Sequence, residues 1–178
     1  MGEYVEYQTP ALTKSLGKLG YGLLSNEETA DELNISPEQA IIEVLTRHPD
    51  PRYVKGISVI LQKNQINYKK LFDLADSYRS ADPNLPNKLG YVLDITHELF
   101  KRLGISKDDS ELEMTINKLD AIKSKNEAAL NPNFRNNAKY LEFAKKKQDE
   151  KMRYWNVIGM PIGDQLYKTL LLYMKDVH

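Results

Sequence analysis

The sequence predicts an all-α fold, a helical bundle with an N-terminal helix-turn-helix-like hairpin and a long basic C-terminal helix. Three observations carry this expectation. Apolar residues recur at spacings of three and four almost throughout, strict alternation over a strand length is hard to find, and helix start and stop signals punctuate the chain at matching intervals.

The first helix starts near Thr9 and Pro10, with Leu12, Leu16, Leu19 and Leu23 on one stripe, and frays near Tyr21 because Gly17, Gly20 and Gly22 weaken its second half. Ser25 with Glu28 reads as a capping box for a short helix to Leu33. Ser36, Pro37 and Gln39 signal a second start, for a helix to Arg47. Asp50 and Pro51 open the next, with Val54, Ile57, Ile60 and Leu61 inward until Asn64, and Asn67 caps one that carries Leu71, Leu74 and Tyr78. Pro83 and Pro86 make 80–87 the best internal loop and a candidate seam. Leu89 to Leu103 is amphipathic and stops at Gly104; Asp108 to Leu130 reads as one further helix, broken by Asn131, Pro132 and Asn133. A long basic helix from Phe134 to about Val157, a turn at 159–163 and an apolar helix through Leu166, Leu170, Leu171 and Met174 complete the chain. The expected organisation is therefore a helical core over 1–130 and an appended 131–178, packed on that core or on a partner.

A chain of 178 residues, 41% hydrophobic and 28% charged, can close a core without disulfides. Lys plus Arg equals Asp plus Glu at 25 each, so no global field gathers nucleic acid or an anionic membrane, and such binding needs a local patch. The absence of Cys removes thiolate nucleophiles and Cys-type metal sites, and it fits a reducing cytoplasm. Acids at the N-terminus and the lack of a long apolar run argue against secretion and membrane insertion.

Two segments carry functional signals. Residues 27–45, EETADELNISPEQAIIEVL, resemble the paired helices of a helix-turn-helix, with Ala30 at the crossing and Leu33 and Ile35 flanking the turn. Its second helix presents Glu38, Gln39 and Glu43 outward, an acidic face that suits phosphates badly, with Arg47 as the nearby compensation. The second segment lies between Lys123 and Arg153, where lysines and arginines outnumber acids and Phe134, Tyr140, Phe143, Tyr154 and Trp155 are interleaved. Phe134, Ala138, Leu141, Met152 and Trp155 fall on one heptad seam with a polar middle, which suits a helix anchored at both ends. Candidate partner contacts are therefore Phe134, Leu141, Met152, Trp155 and Leu170. The alternative nucleic-acid contacts are Gln39, Arg47, Lys145, Lys146 and Lys147.

Catalytic and metal-binding patterns are not recognisable. Asp94 and His97 stand one turn apart but lack a third ligand in view, and SKDDSELE at 106–113 reads as a helix start rather than a calcium loop. No cofactor and no metal are expected.

PRYVKGISVILQKN at 51–64 and NKLGYVL at 87–93 resemble segments in the helical C-terminal regions of antitoxins that accompany abortive-infection nucleotidyltransferase toxins. In that family an Arg or Lys, Leu, Gly, Tyr run starts a helix, as Lys88, Leu89, Gly90 and Tyr91 do here. The family's N-terminal winged helix is basic, whereas the corresponding segment here is acidic and shows no wing strands. The resemblance implies a non-catalytic protein that works by binding another. The expected function is that of a non-enzymatic helical interaction protein with a regulatory role, binding a partner or a second copy of itself; a DNA- or RNA-associated regulator and an enzyme with a dispersed site are the alternatives.

Overall fold

The computed structural model describes residues 9–22, 34–47, 49–107, 109–130 and 137–175. Among them 73% of residues are helical and 3% extended, so the all-α class stands. The predicted 25–33 helix, with Ala30 and Leu33, lies outside the described residues, as do Phe134 and the 131–133 break.

The first helices follow their start signals. Helix α1 runs Thr9–Lys18, and Tyr21 N–H closes its end on Leu16 O at 2.8 Å. Helix α2, Pro37–Arg47, opens on a reciprocal box in which Ser36 N–H reaches Gln39 Oε1 at 2.9 Å and Gln39 N–H reaches Ser36 Oγ at 3.3 Å. Asp50 caps α3, Pro51–Lys63, by accepting from Arg52 N–H, and Asn67 caps α4, Tyr68–Ser77, by accepting from Lys70 N–H. A single 3-10 turn, Tyr78–Ser80, follows.

The predicted 80–87 loop is shorter than expected. Helix α5, Leu85–Leu103, already contains Pro86 in its first turn, where a missing N–H costs no hydrogen bond. It ends at Gly104, whose φ of 71° suits a residue without Cβ. Helix α5 is the centre of the molecule: it packs on α2, α3, α4 and α6 and on the C-terminal elements, and every residue from Leu85 to Leu93 is buried.

Two corrections fall C-terminal to α5. Helix α6 is Asp109–Ile122, not a helix to Leu130. Ala128 and Ala129 are extended instead, as strand β1, paired in parallel with Val157 and Ile158 of strand β2. Ala128 N–H donates to Asn156 O at 2.7 Å and Leu130 N–H to Ile158 O at 3.1 Å. Helix propensity favours alanine, but the amphipathic stripe stops at Ile122 and the buried pairing outweighs propensity. The predicted long basic helix is likewise two helices, α7 at Ala138–Lys147 and α8 at Glu150–Tyr154. Gln148 turns extended and donates its Nε2 to Val157 O at 2.7 Å, while Asp149 caps α8 by accepting Met152 N–H at 2.7 Å. A capped restart breaks the helical phase, so the heptad seam is not one face. Helix α9, Gly163–Lys175, packs on α3 and α5.

One apolar cluster joins Leu12 and Leu16 of α1, Ile41 and Leu45 of α2, Ile57 and Ile60 of α3 and Leu89 and Val92 of α5 with Met152, Trp155, Leu166 and Leu170. Residues on both sides of position 130 therefore share a core.

Candidate functional site

The residues expected to form a partner seam divide by burial. Met152, Trp155 and Leu170 are fully buried in the chain's own core, so they present no surface to a partner. Leu141 is half-buried against a small satellite cluster of Ala129, Ala144 and Ile158. The interface role assigned to Met152, Trp155 and Leu170 is thus corrected to an intramolecular one. Truncating Trp155 to Ala would cost roughly 3–5 kcal/mol of folding stability, whatever it does to a complex.

Trp155 is held from several sides. Its ring lies against Gly90, where a Cβ would collide with the ring atom Cζ3. Its indole N–H donates to Asp94 Oδ2 at 3.0 Å, and its carbonyl accepts from Asn87 Nδ2 at 2.8 Å. Lys151 Nζ closes the set by donating to Asp94 Oδ1 at 2.7 Å, with Glu98 at 3.3 Å. Burial works against the Lys151 ammonium, but these two carboxylates outweigh it and hold its pKa above the ordinary lysine value. Unlike the exposed Lys145, Lys146 and Lys147 of the same basic stretch, Lys151 is half-buried and paired. The Asp94 and His97 pair weighed as metal ligands is also separated in function: Asp94 serves Trp155 and Lys151, and His97 Nε2 meets Asp109 Oδ1 at 2.5 Å. No group of three candidate metal ligands occurs among the described residues.

Helix α7 behaves differently. Of its ten residues only Ala144 is buried, and Phe143 is 48% exposed. Inward positions are taken by Tyr140, Leu141 and Ala144 against β1 and β2, which leaves Lys139, Glu142, Phe143, Lys145, Lys146 and Lys147 exposed. Lys146 pairs with Glu142 at 2.7 Å and Lys145 with Glu127 at 3.4 Å, both in water, where such pairs contribute little. Lys147 Nζ stands 5.8 Å from the Phe143 ring centroid. The sequence reading missed Phe143 because a heptad continued from Leu141 to Met152 puts it off the seam. Its helical neighbourhood with Lys139 and Lys147, four residues to either side, was the available signal.

On α2, Gln39 and Arg47 are exposed as expected, and Glu43 is half-buried. Glu38 is not outward: it is buried, with Oε1 accepting Asn67 N–H at 2.9 Å and Oε2 3.2 Å from Lys70 Nζ. Burial would raise the Glu38 pKa, but the Asn67 amide, Ser36 and Lys70 hold it below the ordinary carboxylate value. It borders the cleft between α4 and α6, about 590 Å³ in volume and also lined by Tyr68, Glu111, Met114 and Lys118. The buried carboxylate there is committed to tying α2 to the start of α4. No helix among the described residues is long and apolar enough to cross a membrane. Comparison with protein-family models, curated proteins and solved structures finds no match.

Proposed function

We propose that this chain is a non-enzymatic helical protein that acts by binding another protein, and that the outer face of α7 is the contact surface. The observation that carries this reading is the contrast between α7, with one buried side chain and an exposed phenylalanine, and the central α5, buried almost throughout. An exposed aromatic on a helix with so little to bury intramolecularly is the feature that a partner's apolar side chain would cover. The resemblance of 51–64 and 87–93 to antitoxin segments points the same way, since it implies a protein that works by occupying another. A cytoplasmic setting fits the absence of Cys.

The test is photo-crosslinking in the native host with a photoreactive residue at position 143, against a control at position 165 on the exposed side of α9. A discrete protein adduct at 143 and none at 165 is the expected result. Equal labelling at both positions, or none at 143, overturns the reading. A second reading, a DNA- or RNA-associated regulator using the 27–45 hairpin and the basic 135–153 stretch, has in its favour the exposure of Gln39, Arg47, Lys145, Lys146 and Lys147. It requires a nucleic-acid complex that weakens steeply with salt and is lost when the three consecutive lysines become Glu.

A further inference from the structure

The geometry points to an acidic segment with an apolar side chain as the partner element that docks on α7; this rests on the reading of α7 as a contact surface. Lys139, Phe143, Lys146 and Lys147 are all exposed and are separated by four, seven and eight residues, so they form one stripe with the aromatic ring between cations. At 1.5 Å per residue the stripe spans roughly 12–15 Å, the length of two to three helical turns of a partner peptide. A partner side chain over Phe143 and carboxylates at either end would satisfy the whole stripe, with Lys147 already beside the ring at 5.8 Å.

The same face suits a polyanion less well. Glu142 lies within it, paired with Lys146 at 2.7 Å, and Glu127 pairs with Lys145 at 3.4 Å, so a continuous phosphate backbone meets carboxylates as well as lysines. Nucleic-acid affinity is built from many phosphate contacts along such a backbone, and this chain has no net positive charge to supplement a short patch. A peptide can place a few discrete carboxylates at Lys139 and Lys147 and leave Glu142 unopposed.

The full chain is titrated by fluorescence anisotropy with four labelled probes: a helical peptide of about three turns carrying Glu at either end of a central Leu, the same peptide with Lys for Glu, the same with Ser for Leu, and an oligo-dT of similar length. The acidic Leu peptide is expected to bind, and Phe143→Ser to weaken it by about tenfold or more. The double variant K139E/K147E should lose the acidic peptide and gain the Lys peptide, a charge exchange that a misfolded variant cannot produce. Circular dichroism of each variant checks the fold. Tighter binding of oligo-dT, or no discrimination between the Glu and Lys peptides, overturns the inference in favour of nucleic acid or of an uncharged contact. If a residue at 143 crosslinks to a protein in the host while the acidic peptide does not bind, the contact surface stands and the acidic chemistry falls. If neither occurs, both fall.

Discussion

Gly90 and Trp155 show how one absent side chain can set the position of a distant segment. The indole occupies the space that a Cβ at position 90 would need, and its N–H is anchored on Asp94 one turn further along α5. Gly90→Ala should therefore destabilise the protein by about 2 kcal/mol through overpacking, despite the roughly 1 kcal/mol that alanine gains over glycine inside a helix. In a Trp155→Leu background the ring atoms are gone, and the same substitution should become neutral or stabilising. Chemical denaturation of the four proteins in this cycle measures the coupling; an equal cost in both backgrounds would show that Gly90 is needed for another reason. Glu38 gives a second test at this scale. Its folded pKa lies below the value of 4.5 it would have free, so its stabilising contribution is complete above that value and is lost as pH falls through the folded value. The stability difference between the natural chain and Glu38→Gln, about 1–2 kcal/mol, should be constant from neutral pH to about pH 5.5 and shrink below 4.5. A difference that grew on acidification would reverse the sign assigned to this carboxylate.

At the scale of elements, the join between α7 and α8 decides what the basic stretch is. Asp149 caps α8 through Met152 N–H, and Gln148 is held by Val157 O; these bonds replace the continuous helical ladder that the heptad seam requires. Asp149→Ala should cost about 1 kcal/mol by removing the cap. Because α8 delivers Met152 and Trp155 to the core, that loss should appear in global unfolding and should be absent from binding by α7. Calorimetry beside the peptide titration separates the two; weakened peptide binding with unchanged stability would mean that the break tunes the α7 face instead.

For the molecule as a whole, the shared core predicts a single cooperative unit. The chain has one tryptophan, Trp155, which reports on the C-terminal segment, whereas far-ultraviolet circular dichroism reports on all helices. Denaturation curves followed by the two signals should coincide, as two-state behaviour requires. A fluorescence midpoint clearly below the dichroism midpoint would make the C-terminal segment a separate unit docked on a 1–130 core. The wiring argues for coincidence: Asn87 on α5 binds both Ser124 and Trp155, so the connection after α6 and the end of α8 are tied to the same central side chain.

The helix class, the caps at Ser36, Asp50 and Asn67 and the stop at Gly104 were legible because they are local: a carboxylate, amide or hydroxyl bonds an amide two or three residues away, and periodicity reports which face is apolar. The basic and aromatic character of the 138–147 stretch was legible for the same reason. Tertiary structure alone decided which aromatics were spent inside and which were left out. Trp155 and Phe143 are both aromatics of the basic stretch, but of the two only Trp155 has a glycine, an aspartate and an asparagine on a remote helix shaped to receive it. It also decided that Ala128 and Ala129 lie extended and that Glu38 faces inward, since each choice depends on a backbone partner far away in sequence, Asn156 in one case and Asn67 in the other. Local pattern fixes a residue's preference, whereas burial depends on what the rest of the chain brings opposite it.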